Sequence, residues 1–419
     1  MVNALTENAS GKEKYNILVP FKKSKDFKYL YISQLFSVFG SSITMFILPI
    51  IVYQISNSTT VMGTVMSIYM IPCIAALPFS GIIVDTFNRI KIMIVTNVIM
   101  FITLVTFATL ALNKQLTMNW IYFLVCIIGL MDALFRPAYA AVRAKIFTKE
   151  IRSSANSITE ITRQLIKMLT PVIGGVIITM VSIGSGFGVY SLCYVISFIC
   201  LLLLRNLNFK IESRKLSRIS LRQDFCESIS VLKTNSWLWI TILTFSFINI
   251  CTGGIMRILI PWLINVHYKL EPYVLGLVMA ATALGAIFCA TVYGMRKQWM
   301  RRGLLAYGGV ALSAISFLLM AFVSNVTLLV LFMFLNGVGN MIFSIIWEVS
   351  LQELVPEEKF GRVASLDMFG SLALLPLGFF ITGWIADIIG GTMTMVILST
   401  SILLIVIVVI FNKGIRQYN

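Results

Sequence analysis

The sequence predicts an all-α membrane protein of twelve transmembrane helices arranged as two parallel six-helix repeats. Three observations predict it. Apolar runs of membrane-crossing length recur along the whole chain, basic residues alternate between successive loops, and the second half echoes the first. Of the 419 residues, 58% are hydrophobic and only 12% charged, with a mean hydropathy of +0.92. Soluble domains carry about 25% charged residues, and roughly 20 apolar residues are what one helix needs to cross a bilayer.

The elements follow in chain order. Residues 1–28 form a basic arm with Lys12, Lys14, Lys22, Lys23 and Lys25. The arm has no short apolar run with a cleavage site, so the first helix is expected to act as its own insertion signal. Spans are expected at 29–54, 60–84, 91–112, 119–141, 154–180 and 187–205, which make an N-terminal bundle over 29–205. A polar segment, 206–235, separates it from a second set at 236–264, 272–295, 303–323, 326–348, 362–388 and 391–412, a C-terminal bundle over 236–412. A tail, 413–419, closes the chain. Within the central segment, Leu221, Phe225, Ile229 and Leu232 recur at helical spacing, so Ser220–Leu232 reads as an amphipathic helix lying on the membrane surface.

Charge placement sets the topology. All of the 33 Lys and Arg residues except Lys114, Arg257 and Lys269 fall on the side that holds the two termini. The positive-inside rule then puts both termini in the cytoplasm of a multi-pass protein of the cell membrane. The net charge of +16 is accounted for by this placement, aided by anionic membrane lipid, and not by binding to nucleic acid. Six of the seven cysteines lie inside apolar runs and none forms a C-x-x-C, so they read as small hydrophobes. One histidine, His267, cannot build a zinc site, and neither a metal nor any other cofactor is expected.

The repeat is legible in three windows. Ser41, Ser42, Ile43 and Pro49 sit opposite Gly253, Gly254, Ile255 and Pro261. Val61, Gly63, Val65, Met66 and Gly81 match Val274, Gly276, Val278, Met279 and Gly294. Gly129, Phe135, Glu150 and Ser157 match Gly337, Phe343, Glu358 and Ser365. The offsets are nearly constant and close to half the chain, as an internal duplication requires. Both halves start on the same side, so the repeat is parallel, with its axis along the membrane normal.

The stretch Gly129–Gly175 carries the chemistry. Its two apolar arms contain Asp132, Arg136, Glu160, Arg163 and Lys167. An ionised group in hydrocarbon costs several kcal/mol unless paired or wetted, so the cluster marks a wet or paired interior. Asp132 and Arg136 are i, i+4 and share a helix face. At about 1.5 Å per residue, Asp132 lies roughly 18 Å from Trp120 and Arg163 roughly 15 Å from Ser153. Two readings are open: a static ion pair, or a relay for proton and substrate built from Asp132, Arg136, Arg163 and Lys167 with Arg257 and Asn340 from the other half. The repeat sets Asn340 opposite Asp132, so ionisable character belongs to one half. Arg257, in the outer third of the seventh helix, either lines the cavity or reaches outward. Glu348 and Asp367 count to near the cytoplasmic interface and rank below Asp132.

Several motifs carry a resemblance. The loop after the second helix reads Gly81-Ile-Ile-Val-Asp85-Thr-Phe-Asn-Arg89-Ile-Lys91. It resembles the G-x-x-x-D-R-x-G-R-[RK] signature of the major facilitator superfamily, with Thr86 for the usual Arg and Asn88 for the usual Gly. Thr170-Pro171-Val-Ile-Gly174-Gly175 resembles the G-P-x-x-G-G element of that superfamily's exporters, with Thr170 for the first Gly. Asp132-Ala-Leu-Phe-Arg136-Pro137 and Phe360-Gly361-Arg362-Val resemble the branch of macrolide-efflux and siderophore exporters. The resemblance implies the major facilitator fold in a bacterial membrane. It also implies a cytoplasmic gate in which Asp85, with Gly81, Arg89 and Lys91, meets the start of helix 11 near Gly361 and Arg362. Pro171, Gly174 and Gly175 would bias helix 5 against the other half.

The resulting expectation is a secondary active transporter, acting as a monomer. It would export small amphipathic organic compounds, macrolide-like or siderophore-like, against protons by alternating access. The alternative is a flippase or importer of a lipid-like anion such as a lysophospholipid, with Arg136 and Arg163 as headgroup partners. An enzyme is not expected, since H-E-x-x-H, G-x-S-x-G and metal-ligand clusters are missing from the sequence.

Overall fold

The computed structural model describes residues 18–148, 150–204, 235–294, 301–355, 363, 367 and 370–418. Among them are twelve helices long and apolar enough to cross a membrane. We number these α1 Lys25–Ser56, α2 Thr59–Thr86, α3 Arg89–Leu112, α4 Met118–Ile146, α5 Arg152–Met180 and α6 Ile183–Leu203 in the N-terminal half. The C-terminal half holds α7 Ser236–His267, α8 Pro272–Gly294, α9 Arg302–Met320, α10 Val326–Leu354, α11 Leu375–Ile389 and α12 Gly391–Ile410. One-turn helices Val19–Lys23 and Lys413–Arg416 flank them.

Short polar residues start the helices. Ser24, Ser58, Asn88, Ser182, Asn235 and Asn325 each accept a backbone N–H of the first turn. Such caps satisfy donors that a helix leaves unpaired and are worth about 1 kcal/mol each. Asn88, the departure from the family loop signature, accepts from Ile90 and Lys91 N–H and so closes the turn into α3. Helices overrun the apolar stretches: α4 continues to Ile146 and α10 to Leu354, because a helix is not obliged to stop where hydrocarbon ends.

An even number of spans leaves both ends of the chain on one face, here the terminal face; the other is the distal face. The halves pack alike: α2 on α4, α3 on α4 and α6, and α1 on α6 correspond to α8 on α10, α9 on α10 and α12, and α7 on α12. Large apolar side chains such as Ile102, Phe123, Leu192, Phe247, Phe288 and Val408 are exposed, as a lipid-facing belt requires. The central segment 206–235, with its expected surface helix, lies outside the described residues.

Two seams join the halves, α2 against α11 and α5 against α8. Both are close approaches of backbone at glycine. A Cβ on Gly63 would lie 2.2 Å from the Phe379 carbonyl oxygen, and one on Gly383 2.2 Å from that of Thr59. On the other seam, a Cβ on Gly276 would lie 2.4 Å from the Pro171 oxygen, and one on Gly175 2.8 Å from that of Pro272. Gly63 and Gly276 are partners in the repeat, so the duplication produced both seams. All four glycines lie toward the distal ends of their helices.

Candidate functional site

Side chains of the Gly129–Gly175 stretch line the inner face of the N-terminal half. Gly129 lets α4 meet the α2 backbone, its Cβ position being 2.2 Å from the Tyr69 carbonyl oxygen. That approach puts the Tyr69 hydroxyl 2.6 Å from Asp132 Oδ2, to which it donates. Arg136 reaches the same oxygen at 3.3 Å. Asp132 is 17% exposed and Arg136 69%, so the carboxylate is seated between two donors while the guanidinium extends into accessible space.

One turn further round, on α5, Arg163 grips Glu160 through two contacts, Nε to Oε2 at 2.8 Å and Nη2 to Oε1 at 2.7 Å. The pair is half exposed, and Gln164 also donates to Glu160 at 2.6 Å. Arg163 is therefore held on its own helix and makes no described bond to Asp132. Beside it opens a cavity of about 340 Å³ between the terminal-side portions of α1, α4 and α5, lined by Tyr31, Leu35, Tyr139, Arg143, Arg163 and Ile166 among others. Its volume falls in the range typical of ligand pockets, ~300–1,000 Å³.

Arg257 lies toward the distal end of α7 on a π-helical stretch, Ile255–Leu259. A π-turn carries one extra residue and often marks a functional position. Arg257 is exposed, and the π-helical stretch that carries it packs against α2 of the other half and against α11 and α12. Lys167, on α5, is exposed as well.

Other expected residues are placed elsewhere. Asn340 donates to Ser313 Oγ at 3.3 Å and to Asn336 Oδ1 at 3.0 Å, so it is turned into the α9–α10 contact and is not brought to Asp132. Asp367 accepts from the Trp347 indole at 3.2 Å, and Glu348 from Gln352 at 3.2 Å. Of the gate motif, the backbone of Gly81 and Asp85 continues α2, Arg89 opens α3 and Lys91 is exposed. Gly361 and Arg362 lie outside the described residues. Pro171 and Gly175 sit on the α5–α8 seam, and Gly174 packs on the Phe46 ring.

Two participants escaped sequence reasoning. Tyr69 is an aromatic in an apolar run, with nothing local to single it out. Asp387, near the distal end of α11, accepts from Thr59 N–H at 2.8 Å and Thr60 N–H at 3.0 Å. It accepts as well from the Ser58 hydroxyl at 2.5 Å and the Thr59 hydroxyl at 2.6 Å. The first turn of α2 is thus capped by a carboxylate from the opposite half. The signal was present: a Ser-Thr-Thr helix start and an acid on the side where ionisable residues are few. Alongside, the Thr59 hydroxyl donates to the Gly383 carbonyl at 2.8 Å and Ser67 to that of Pro376 at 2.6 Å.

Two six-helix halves with charged side chains inside their spans have the architecture of a membrane transporter rather than an enzyme. The sequence model of the Major Facilitator Superfamily matches residues 30–375, and the chain belongs to that family. It is similar to the multidrug efflux pump Tap of Mycolicibacterium fortuitum, 22% identical with 90% of this chain and 93% of the relative covered. It is also similar to the enterobactin exporter EntS of Salmonella paratyphi A, 21% identical over 81% and 80%. Among solved structures, the nucleoside transporter NupG superposes with a TM-score of 0.76 at 12% identity, covering 92% of this chain and all of that one.

Proposed function

We propose that this protein is a proton-coupled exporter of amphipathic organic molecules that works by alternating access. One observation carries the reading: exposed charged side chains stand inside the spans, Arg136, Glu160 and Arg163 among them, while two glycine seams bring the halves together toward the distal face. With the terminal face in the cytoplasm, as the positive-inside rule favours, the two seams would close the outer side. The efflux relatives support export as the direction of transport.

Asp132 is the coupling carboxylate in this reading. Ionised, it holds Tyr69 and Arg136; protonated, it loses its hold on the guanidinium and frees it for substrate or for the rocking step. Headgroup binding by Arg136 and Arg163, the alternative, has less support, because each guanidinium already has a carboxylate partner. In proteoliposomes with an imposed pH gradient, Asp132→Asn should cut gradient-driven dye export at least about tenfold, equivalent to about 1.4 kcal/mol. Substrate binding should persist with a flattened pH profile. Wild-type rates with an unchanged pH profile would leave Asp132 as a structural partner of Arg136 only.

A further inference from the structure

The cavity between α1, α4 and α5 has a polar wall. Tyr139 and Arg143 come from α4, Gln34 from α1, and Glu160 and Arg163 from α5. Two arginines against one glutamate leave the wall with a net positive charge. The two arginines are not equally committed. Arg163 is gripped by Glu160, to which Gln164 also donates. Arg143 has no carboxylate partner among the described residues. Its guanidinium lies 5.9 Å from the centre of the Tyr139 ring, within cation–π reach. That contact holds the cation at the wall and leaves N–H groups for an acceptor inside the cavity.

Gln34 is the second unmatched group. Its Oε1 is buried, and no donor reaches it among the described residues. Buried amide oxygens are nearly always paired, so one on a cavity wall points to a donor on a ligand. Neighbouring hydroxyls are engaged within the protein: those of Tyr31 and Thr162 bond each other, and that of Thr159 donates to the Ala155 carbonyl at 2.7 Å. The same cavity therefore offers a guanidinium that lacks a carboxylate and an amide oxygen that lacks a donor. A guanidinium binds carboxylate or phosphate through paired N–H groups.

We propose that this cavity binds a small organic acid that also carries a hydroxyl or N–H donor. The acidic group lies on Arg143 and the donor on Gln34 Oε1. An oxyanion with a donor beside it occurs both in soluble hydroxy acids and in lipid headgroups with a free hydroxyl. Every lining residue belongs to the N-terminal half, so the site needs nothing from the other half and can hold its ligand while the halves move. As the loading site of an exporter it rests on the function proposed above; as a binding site it stands on its own.

Three probes of one shape test it by titration calorimetry on the purified full chain: phloretate, hydrocinnamate, which lacks the hydroxyl, and tyramine, in which an ammonium replaces the carboxylate. Wild type should bind phloretate about tenfold more tightly than hydrocinnamate, the size of one hydrogen bond, and tyramine not at all. Arg143→Gln should weaken both acids at least about tenfold, and Arg143→Lys should recover part of the loss. Gln34→Leu should lower phloretate to the level of hydrocinnamate. Glu160→Gln removes a negative charge and releases Arg163, so both acids should bind more tightly. Gel filtration and the melting temperature report folding; if Arg143→Gln does not fold, Gln34→Leu and Glu160→Gln, with opposite expected signs, decide. In nanodiscs, phosphatidylglycerol should displace phloretate more than phosphatidylmethanol, of equal charge but without the hydroxyl, if the occupant is a lipid headgroup; the two act alike if it is a soluble acid. No binding of phloretate to wild type, equal binding of tyramine, or affinities indifferent to Arg143 and Gln34 overturn the site. Binding with these dependences but without gradient-driven export of phloretate from proteoliposomes upholds the site and sinks the exporter reading.

Discussion

The two seams between the halves are copies of one another in packing and differ in charge. On both, glycine lets one backbone meet the other. On the α2–α11 seam, however, Asp387 takes four donors from the start of α2. The repeat partner of Gly383 is Gly175, so the position matching Asp387 on α5 is Thr179. Its hydroxyl donates to the Gly175 carbonyl within its own helix at 2.9 Å and makes no bond across the seam among the described residues. Duplication supplied the contact surface twice, and a carboxylate was placed on only one copy. The difference suggests a division of labour: α5–α8 is held by shape alone, and α2–α11 has an electrostatic latch that must be released before the distal face opens.

The largest effects should come from the feature the seams share. Gly383→Leu and Gly276→Leu each push a side chain into backbone that cannot rotate away. Overpacking costs about 1–3 kcal/mol, and rigid backbone belongs at the upper end, so the distal-closed state should lose roughly 100-fold in population. Spin labels on cysteines at Lys114 and Lys269, in distal loops of opposite halves, should move apart in both variants, and transport should fall accordingly. If only one of the two variants opens the distal face, the seams are not equivalent in packing and the comparison fails at its first step.

Removing the feature they do not share should matter less. Asp387→Asn keeps the shape and one acceptor but loses the charge that faces the positive end of α2. A carboxylate at a partly buried helix N-terminus is worth up to ~2 kcal/mol, so a shift of about tenfold toward the distal-open state is expected in the same label distances. Thr179→Val should leave them where they are. An unchanged distance in Asp387→Asn would reduce the latch to a passive cap.

These residues also show what could be read without the structure. The fold was legible because apolar runs and basic loops are properties of local composition, and the repeat was visible in matched glycines such as Gly63 and Gly276. The Asp132–Arg136 contact was legible because i, i+4 spacing makes helix neighbours whatever the fold. Arg163 was expected to reach the same site, but Glu160, three residues before it, captures it with two short bonds. Local pairing won over the longer reach. Tyr69 and Asp387 depend on which helices touch, and no spacing along the chain encodes that. Depth in the bilayer singles out Asp132 and gives Asp387 no weight, because a latch belongs near the surface.

The smallest expected effect tests whether the missing latch could simply be added. Offset by the same interval as Gly63 and Gly276, the residues matching Ser58, Thr59 and Thr60 are Glu271, Pro272 and Tyr273 at the start of α8. Pro272 has no N–H to offer, and Glu271 brings a negative charge where α2 presents hydroxyls. Thr179→Asp should therefore repel Glu271, at about 0.3–1 kcal/mol for an exposed pair near a helix end. That amounts to a two- to fivefold shift toward the distal-open state, opposite in sign to a second latch. Adding Glu271→Ser and Pro272→Thr to Thr179→Asp rebuilds the α2 chemistry on α8, and the label distance should then shorten to the wild-type value or below. If Thr179→Asp alone closes the distal face, or rescues Asp387→Asn, then the asymmetry does not arise from the chemistry of the two helix starts.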